Sequence, residues 1–131
     1  MDISELLEKA KDASKNAYCP YSKFSVGACV LYESGNTYLG CNVENSSFGM
    51  TLCAERNAIS SAIANGEKSE IKAVAIYSPQ STKCMPCGAC RQWFSEFVTT
   101  DDFVVIVEDD DKTPVSYTLE ELLPYSFKLI H

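Results

Sequence analysis

CAERNAISSAIANGEKSEIKAVAIYSPQSTKCMPCGACRQWFSEFVTTDDFVVIVE, residues 53–108, alternates helix and strand twice over. Residues 53–65 read as a helix stopped by Gly66. Residues 72–78 (KAVAIYS) read as a buried strand, and a loop rich in Ser, Thr and Pro follows. A second helix runs from about 87 to 97, introduced by Pro86, because proline loses nothing where a helix leaves its first amides unpaired. Residues 103–108 (FVVIVE) form another apolar strand. Helices alternating with strands predict a layered α/β architecture.

Working outward, residues 3–17 read as an amphipathic helix with Ile3, Leu6, Leu7, Ala10 and Ala13 on one face. Asp2 and Glu5 form a capping pair at its start. Residues 25–32 and 37–41 flank Glu33-Ser34-Gly35-Asn36, which reads as a hairpin turn. Strands joined so tightly must be antiparallel, so the sheet is mixed. The acidic run Asp109-Asp110-Asp111 is a solvated turn before a short strand near 114–117. Thr118 and Glu121 then cap a last short helix. No internal repeat, low-complexity tract or linker interrupts residues 1–131, which read as one domain.

The chain of 131 residues is long enough to bury roughly two-thirds of the surface its unfolded form exposes. A net charge of −7 with 11 scattered basic residues argues against a nucleic-acid partner, since affinity for a phosphate backbone comes from neutralising it. A small uncharged substrate suits this surface. No apolar run reaches membrane-spanning length, and the start MDISE lacks the regions of a signal peptide. Seven cysteines, an odd number, do not read as a disulfide framework without such a signal. The expected location is the reducing cytoplasm.

Cys53, Cys87 and Cys90 are the chemistry-bearing residues. Cys87 and Cys90 lie one helical turn apart and face the same way, and Cys53 starts the other central helix. Helix starts favour thiolates. Three thiolates hold a zinc ion and leave its fourth position open, the arrangement of catalytic sites. Glu55, two residues after the first cysteine, is placed to handle the proton of a bound water. A ligand-x-Glu segment followed by Pro-Cys-x-x-Cys is the signature of zinc-dependent nucleobase deaminases. Three thiolates leave the centre with formal charge −1, which a cation must offset. Arg56 and Arg91 are nearest in sequence, and Arg56 is expected to hydrogen-bond a thiolate. Two plainer readings stand beside this one. Cys84 could complete a closed four-thiol structural site, as in an interaction module, and Cys87 with Cys90 could be a redox pair.

The segments YCPYSKFSVGA (18–28), GCNVENSSF (40–48), TLCAERNAI (51–59), PCGACRQ (86–92) and ELLPYSF (121–127) occur in an order that resembles the short-chain, three-cysteine cytidine deaminases. The likeness runs from about Tyr18 to Phe127. It implies a cytidine deaminase-like three-layer α/β/α sandwich around a mixed five-stranded sheet. It implies one Zn2+ per subunit on Cys53, Cys87 and Cys90, with Glu55 as proton shuttle. Phe24 would lie against the pyrimidine ring, Asn42 and Glu44 would hold the ribose hydroxyls, and Ala54 would also contact substrate. Phe127 would be lent to a neighbouring subunit, or else plug its own core, in a homotetramer with sites at subunit junctions. The implied reaction converts cytidine or deoxycytidine to uridine or deoxyuridine plus ammonia, in pyrimidine salvage. A rival within the same fold would act on another aminopyrimidine, such as blasticidin S or the free base. The chain departs from the pattern at Phe48, where relatives often carry tyrosine, and at Cys84 and Trp93 beside the second zinc segment. His131, the only histidine, is expected to take no catalytic part.

Overall fold

In a computed structural model, which describes residues 1–129, α1 (Ile3–Ser14) precedes the hairpin of β1 (Gly27–Tyr32) and β2 (Thr37–Cys41). Then come α2 (Ala54–Ala64), β3 (Ile71–Tyr77), α3 (Gly88–Phe97), β4 (Val104–Glu108), β5 (Pro114–Thr118) and the short α4 (Leu119–Leu122). His131 lies outside the described residues. Both proposed helix caps form. Asp2 accepts from the amides of Ser4 and Glu5, and Thr118 and Glu121 close a reciprocal capping box.

The strands lie in the order β2-β1-β3-β4-β5. Only β3 and β4 run parallel, linked across the sheet by α3, so the sheet is mixed as expected. Its two faces follow from the period of two along a strand. On one face Leu6, Leu7 and Ala10 of α1 pack against Cys29, Ala73, Ala75 and Ile106. On the other Ala58 and Ile59 of α2 and Phe94 of α3 pack against Ala28, Val30, Val74 and Val105. The result is the three-layer α/β/α arrangement.

Two glycines set how closely the helices approach the sheet. A Cβ at Gly27 would stand 1.9 Å from the Ala10 carbonyl oxygen, where α1 crosses β1. One at Gly40 would stand 2.4 Å from the Ala54 oxygen and 2.4 Å from the Ala58 nitrogen, where the first turn of α2 crosses β2. The second crossing fixes the end of α2 that carries the chemistry.

Two boundaries fall more than one residue inside their expected ranges. α1 ends at Ser14 rather than 17, because the amides of Asn16 and Ala17 bond three residues back and tighten the chain out of the helix. β1 begins at Gly27 rather than 25, because side chains take the amides of Ser25 and Val26: Gln80 the first, Asn42 the second.

Candidate active site

The starts of α2 and α3 meet at one end of the sheet. Cys53 is the residue capping α2, and Cys87 is its counterpart at α3. Cys90, fully buried, completes the first turn of α3. Their three sulfurs lie within 4.8 Å of one another. Tetrahedral coordination with Zn–S bonds near 2.3 Å asks for sulfurs about 3.8 Å apart, a spacing compatible with this clustering. The donor set is all sulfur, which suits zinc and excludes magnesium or calcium. Among the described residues Cys84 does not belong to this cluster. The closed four-thiol site is therefore not formed, and the trio leaves a coordination position open.

Arg56 approaches from one turn further along α2 and donates through Nη2 to Cys53 Sγ at 3.3 Å. A hydrogen bond from Cys90 draws the Cys53 thiol down to about 5, and Arg56 pulls in the same direction. Cys90, the buried donor of that bond, is held well above the ordinary thiol value. Arg91 takes a different place from Arg56. Its Nε donates to the Pro86 carbonyl at 2.8 Å and its Nη1 to that of Leu122 at 2.8 Å, bracing the Cys87 segment against α4.

Glu55 is 4% exposed although charged residues rarely go inside unpaired. Burial pushes its carboxyl up to about 7, with the negative charge of Cys53 adding to the rise. A carboxyl poised there both takes and gives a proton near neutrality. Glu55 opens onto a cavity of about 200 Å³ whose wall also includes Phe24, Asn42, Cys53, Ala54 and Cys87. The structure thus brings six of the sequence-selected residues together. Ala54 belongs to the first turn of α2, where amides have no intrahelical acceptor.

Asn42 is nearly buried, and both ends of its carboxamide are engaged. Oδ1 accepts from the Val26 amide at 2.9 Å, and Nδ2 donates to the Phe24 carbonyl at 2.8 Å. One lone pair and one amide proton remain for a ligand. Glu44 is half-buried and stands outside the cavity wall. It accepts from the amides of Tyr21 and Ser22 at 3.0 and 3.1 Å and from the Ser22 hydroxyl, and these bonds lower its pKa. Phe127 is 69% exposed, its carbonyl held by Gln92 Nε2 at 2.8 Å, and it contributes nothing to the cavity of its own chain. A plug for its own core is excluded. Phe48 is exposed and meets the Tyr21 ring edge-on, while Trp93 packs against Phe97.

Cys84 and Met85 also wall the cavity, a placement that sequence reasoning missed. Burial raises the Cys84 thiol to about 11 and the nearby Glu55 charge adds to this, so the side chain is a neutral, small wall element. The only signal in sequence was the distance of three positions from Cys87, which does not tell a ligand from a wall residue.

A family model described as the cytidine and deoxycytidylate deaminase zinc-binding region matches residues 1–107. A cytidine deaminase from Sporosarcina psychrophila is 42% identical over 130 residues, 97% of this chain and 92% of the relative. A probable cytidine deaminase from Dictyostelium discoideum is 42% identical over 128 residues, 94% of this chain and 84% of the relative. Among solved structures, cytidine deaminase from Burkholderia pseudomallei superposes with a TM-score of 0.88 at 38% identity. That match covers 97% of this chain and all (100%) of the other.

Proposed function

Because this chain belongs to the cytidine and deoxycytidylate deaminase zinc-binding family, we propose that it converts cytidine and deoxycytidine to uridine and deoxyuridine with release of ammonia. One observation carries this: two of three clustered thiols and a buried carboxyl of raised pKa line a single cavity with an aromatic ring in its wall.

Cys53, Cys87 and Cys90 would hold the zinc ion, which would supply Lewis acidity to make a water more acidic. Glu55 takes a proton from the attacking water and delivers it to the ring nitrogen beside the amino-bearing carbon. This makes the carbon electrophilic. The hydroxide left by that transfer adds there, and Glu55 moves the proton of the added hydroxyl to the amino group, which leaves as ammonia as the C–N bond breaks and the carbonyl forms. Its burial suits the task, since a carboxyl near pH 7 is neither too weak a base nor too weak an acid. The wall around Glu55 is mainly apolar and includes Ile76 and Met85.

Phe24 stacks on the base, a contact worth about 1–3 kcal/mol. Asn42 and Ala54 contact the nucleoside within the cavity. Glu44 reaches a ribose hydroxyl at its mouth by sharing the oxygen now held by Ser22. Arg56 offsets the charge of the thiolates. Residues 1–131 act as one catalytic domain in the cytoplasm, in pyrimidine salvage. The working form is a homotetramer with sites at subunit junctions, supported by exposed Phe48, Met50 and Leu52 near the cavity and by exposed Phe127. Among the described residues no helix is long and apolar enough to cross a membrane.

The test is the ultraviolet absorbance of cytidine mixed with the zinc-loaded protein, run beside Glu55→Gln. The cytidine band should disappear with the wild type alone. Turnover by Glu55→Gln at the wild-type rate overturns the role of Glu55. No turnover of either nucleoside by the wild type overturns the substrate.

A further inference from the structure

Phe24 sits on a loop, and a loop does not hold a ring still by itself. Just before it Lys23 adopts a left-handed conformation (φ 59°), which turns the chain between Ser22 and Phe24. Just after it the backbone is tied to two different elements. Asn42, following β2, holds the Phe24 carbonyl and the Val26 amide. Gln80, in the loop between β3 and α3, holds the residue between them. Its Oε1 accepts from the Ser25 amide at 3.0 Å and from the Ser25 hydroxyl at 3.1 Å.

Gln80 is itself anchored. Its Oε1 also takes the Ser78 hydroxyl proton at 3.2 Å, and its own amide donates back to Ser78 Oγ at 3.2 Å. Ser78 is 3% exposed, just past the end of β3. A chain of bonds therefore runs from the buried end of the central strand, through Gln80, to the residue beside Phe24. Gln80 is not part of the cavity wall, so any effect it has on substrate passes through that segment.

We propose that Gln80 is a positioning residue: its side-chain oxygen latches Ser25 to the end of β3 and so presets the Phe24 ring for the base. This rests on Phe24 being the ring that stacks on substrate. A ring already in place spares the ordering cost that a mobile loop would charge on binding. The reacting groups, Glu55 and the thiols, are carried by α2 and α3 and do not depend on the latch. Its loss should weaken substrate binding and leave the chemical step alone.

The experiment is a double-mutant cycle on zinc-loaded enzyme with cytidine, comparing wild type, Gln80→Leu, Gln80→Glu, Phe24→Ala and Phe24→Ala/Gln80→Leu. Gln80→Leu should raise KM about three- to tenfold, with kcat within about twofold of wild type. Gln80→Glu keeps an acceptor for all three donors and should restore most of the loss. In the Phe24→Ala background Gln80→Leu should change KM no further, because the group it positions is gone. An unchanged KM in Gln80→Leu, or a full additional loss in the double variant, overturns the latch and leaves stacking by Phe24 intact. An unchanged KM in Phe24→Ala overturns the stacking itself, and the latch with it.

Discussion

Gly40 of β2 lies directly beneath Ala54, so that a Cβ on Gly40 would stand 2.4 Å from the Ala54 carbonyl oxygen. Cys53 and Glu55 are the chain neighbours of Ala54, so this contact sets where a zinc ligand and the proton carrier begin their helix. Gly40→Ala must push the first turn of α2 off the sheet, at a cost of about 3 kcal/mol or more. Gly27→Ala is the matched comparison, since its Cβ would meet Ala10 and Ser14 of α1 on the opposite face. Both variants should melt earlier than wild type. Only Gly40→Ala should also lower bound zinc and kcat in the protein that remains folded. Equal zinc content and kcat in the two variants would show that the glycine matters for stability alone.

Arg56 places a guanidinium on the sulfur of Cys53, and its Nε is buried without a hydrogen-bond partner among the described residues. An arginine so placed keeps a donor in hand for the charge of the loaded centre. Arg56→Ala should lower kcat/KM about 10- to 100-fold, the usual range for a group one step outside the ligands. It should also displace the pH profile. Steady-state kinetics from pH 5 to 9, about two units either side of the Glu55 value, would detect both. Unchanged turnover with an unchanged profile would remove Arg56 from the site's electrostatics.

Cys84 tests the metal centre from outside. It stands apart from the three clustered sulfurs, and burial keeps its thiol neutral. Cys84→Ala should retain one zinc per chain, whereas Cys53→Ala, Cys87→Ala and Cys90→Ala should each release it. Metal analysis of purified proteins after dialysis reads this directly. Release of zinc by Cys84→Ala would return the closed four-thiol site, and with it an interaction module in place of an enzyme.

Local signals made the framework legible. Helical spacing of Leu6, Leu7, Ala10 and Ala13 identified the buried face of α1, and Glu33-Ser34-Gly35-Asn36 marked the hairpin, where Gly35 has φ 90°. The three thiols and Glu55 were legible because chemistry limits which residues can serve at that spacing. Side-chain orientation was not. Asn42 reads in sequence as a free ligand group, but in the fold it completes the unpaired backbone of residues 24–26. Arg56 and Arg91 are the two cations nearest the thiols along the chain, and Arg56, the one expected to bond a thiolate, does so. The tertiary path of Pro86 and Leu122 draws Arg91 away. Cys84 and Gln80 gained their places through contacts 29 and 55 positions distant, to Glu55 and Ser25, which no local pattern encodes.

Glu67 ties the hairpin to the loop after α2. One of its oxygens accepts from Ser34 Oγ at 3.0 Å, Asn36 Nδ2 at 3.2 Å and Tyr38 OH at 2.9 Å. The other accepts from Ser69 Oγ at 2.7 Å and the Ser69 amide at 3.2 Å. These donors, the Ser69 hydroxyl first, favour the ionised carboxylate and lower its pKa from 4.5 to about 2. Between those values the unfolded chain binds more protons than the folded one, so stability rises with pH across that window. The stabilisation is fully present above 4.5 and is lost as pH falls towards 2. Glu67→Gln has nearly the same shape but carries no charge. It should melt below wild type at pH 6, and the gap should close as both are acidified through the window. Acid also strips zinc from thiolates, but it does so in both proteins, so the difference in melting temperature is the quantity to follow. A gap that stays constant from pH 6 down to 2 would mean that the carboxylate's charge adds nothing to the clamp.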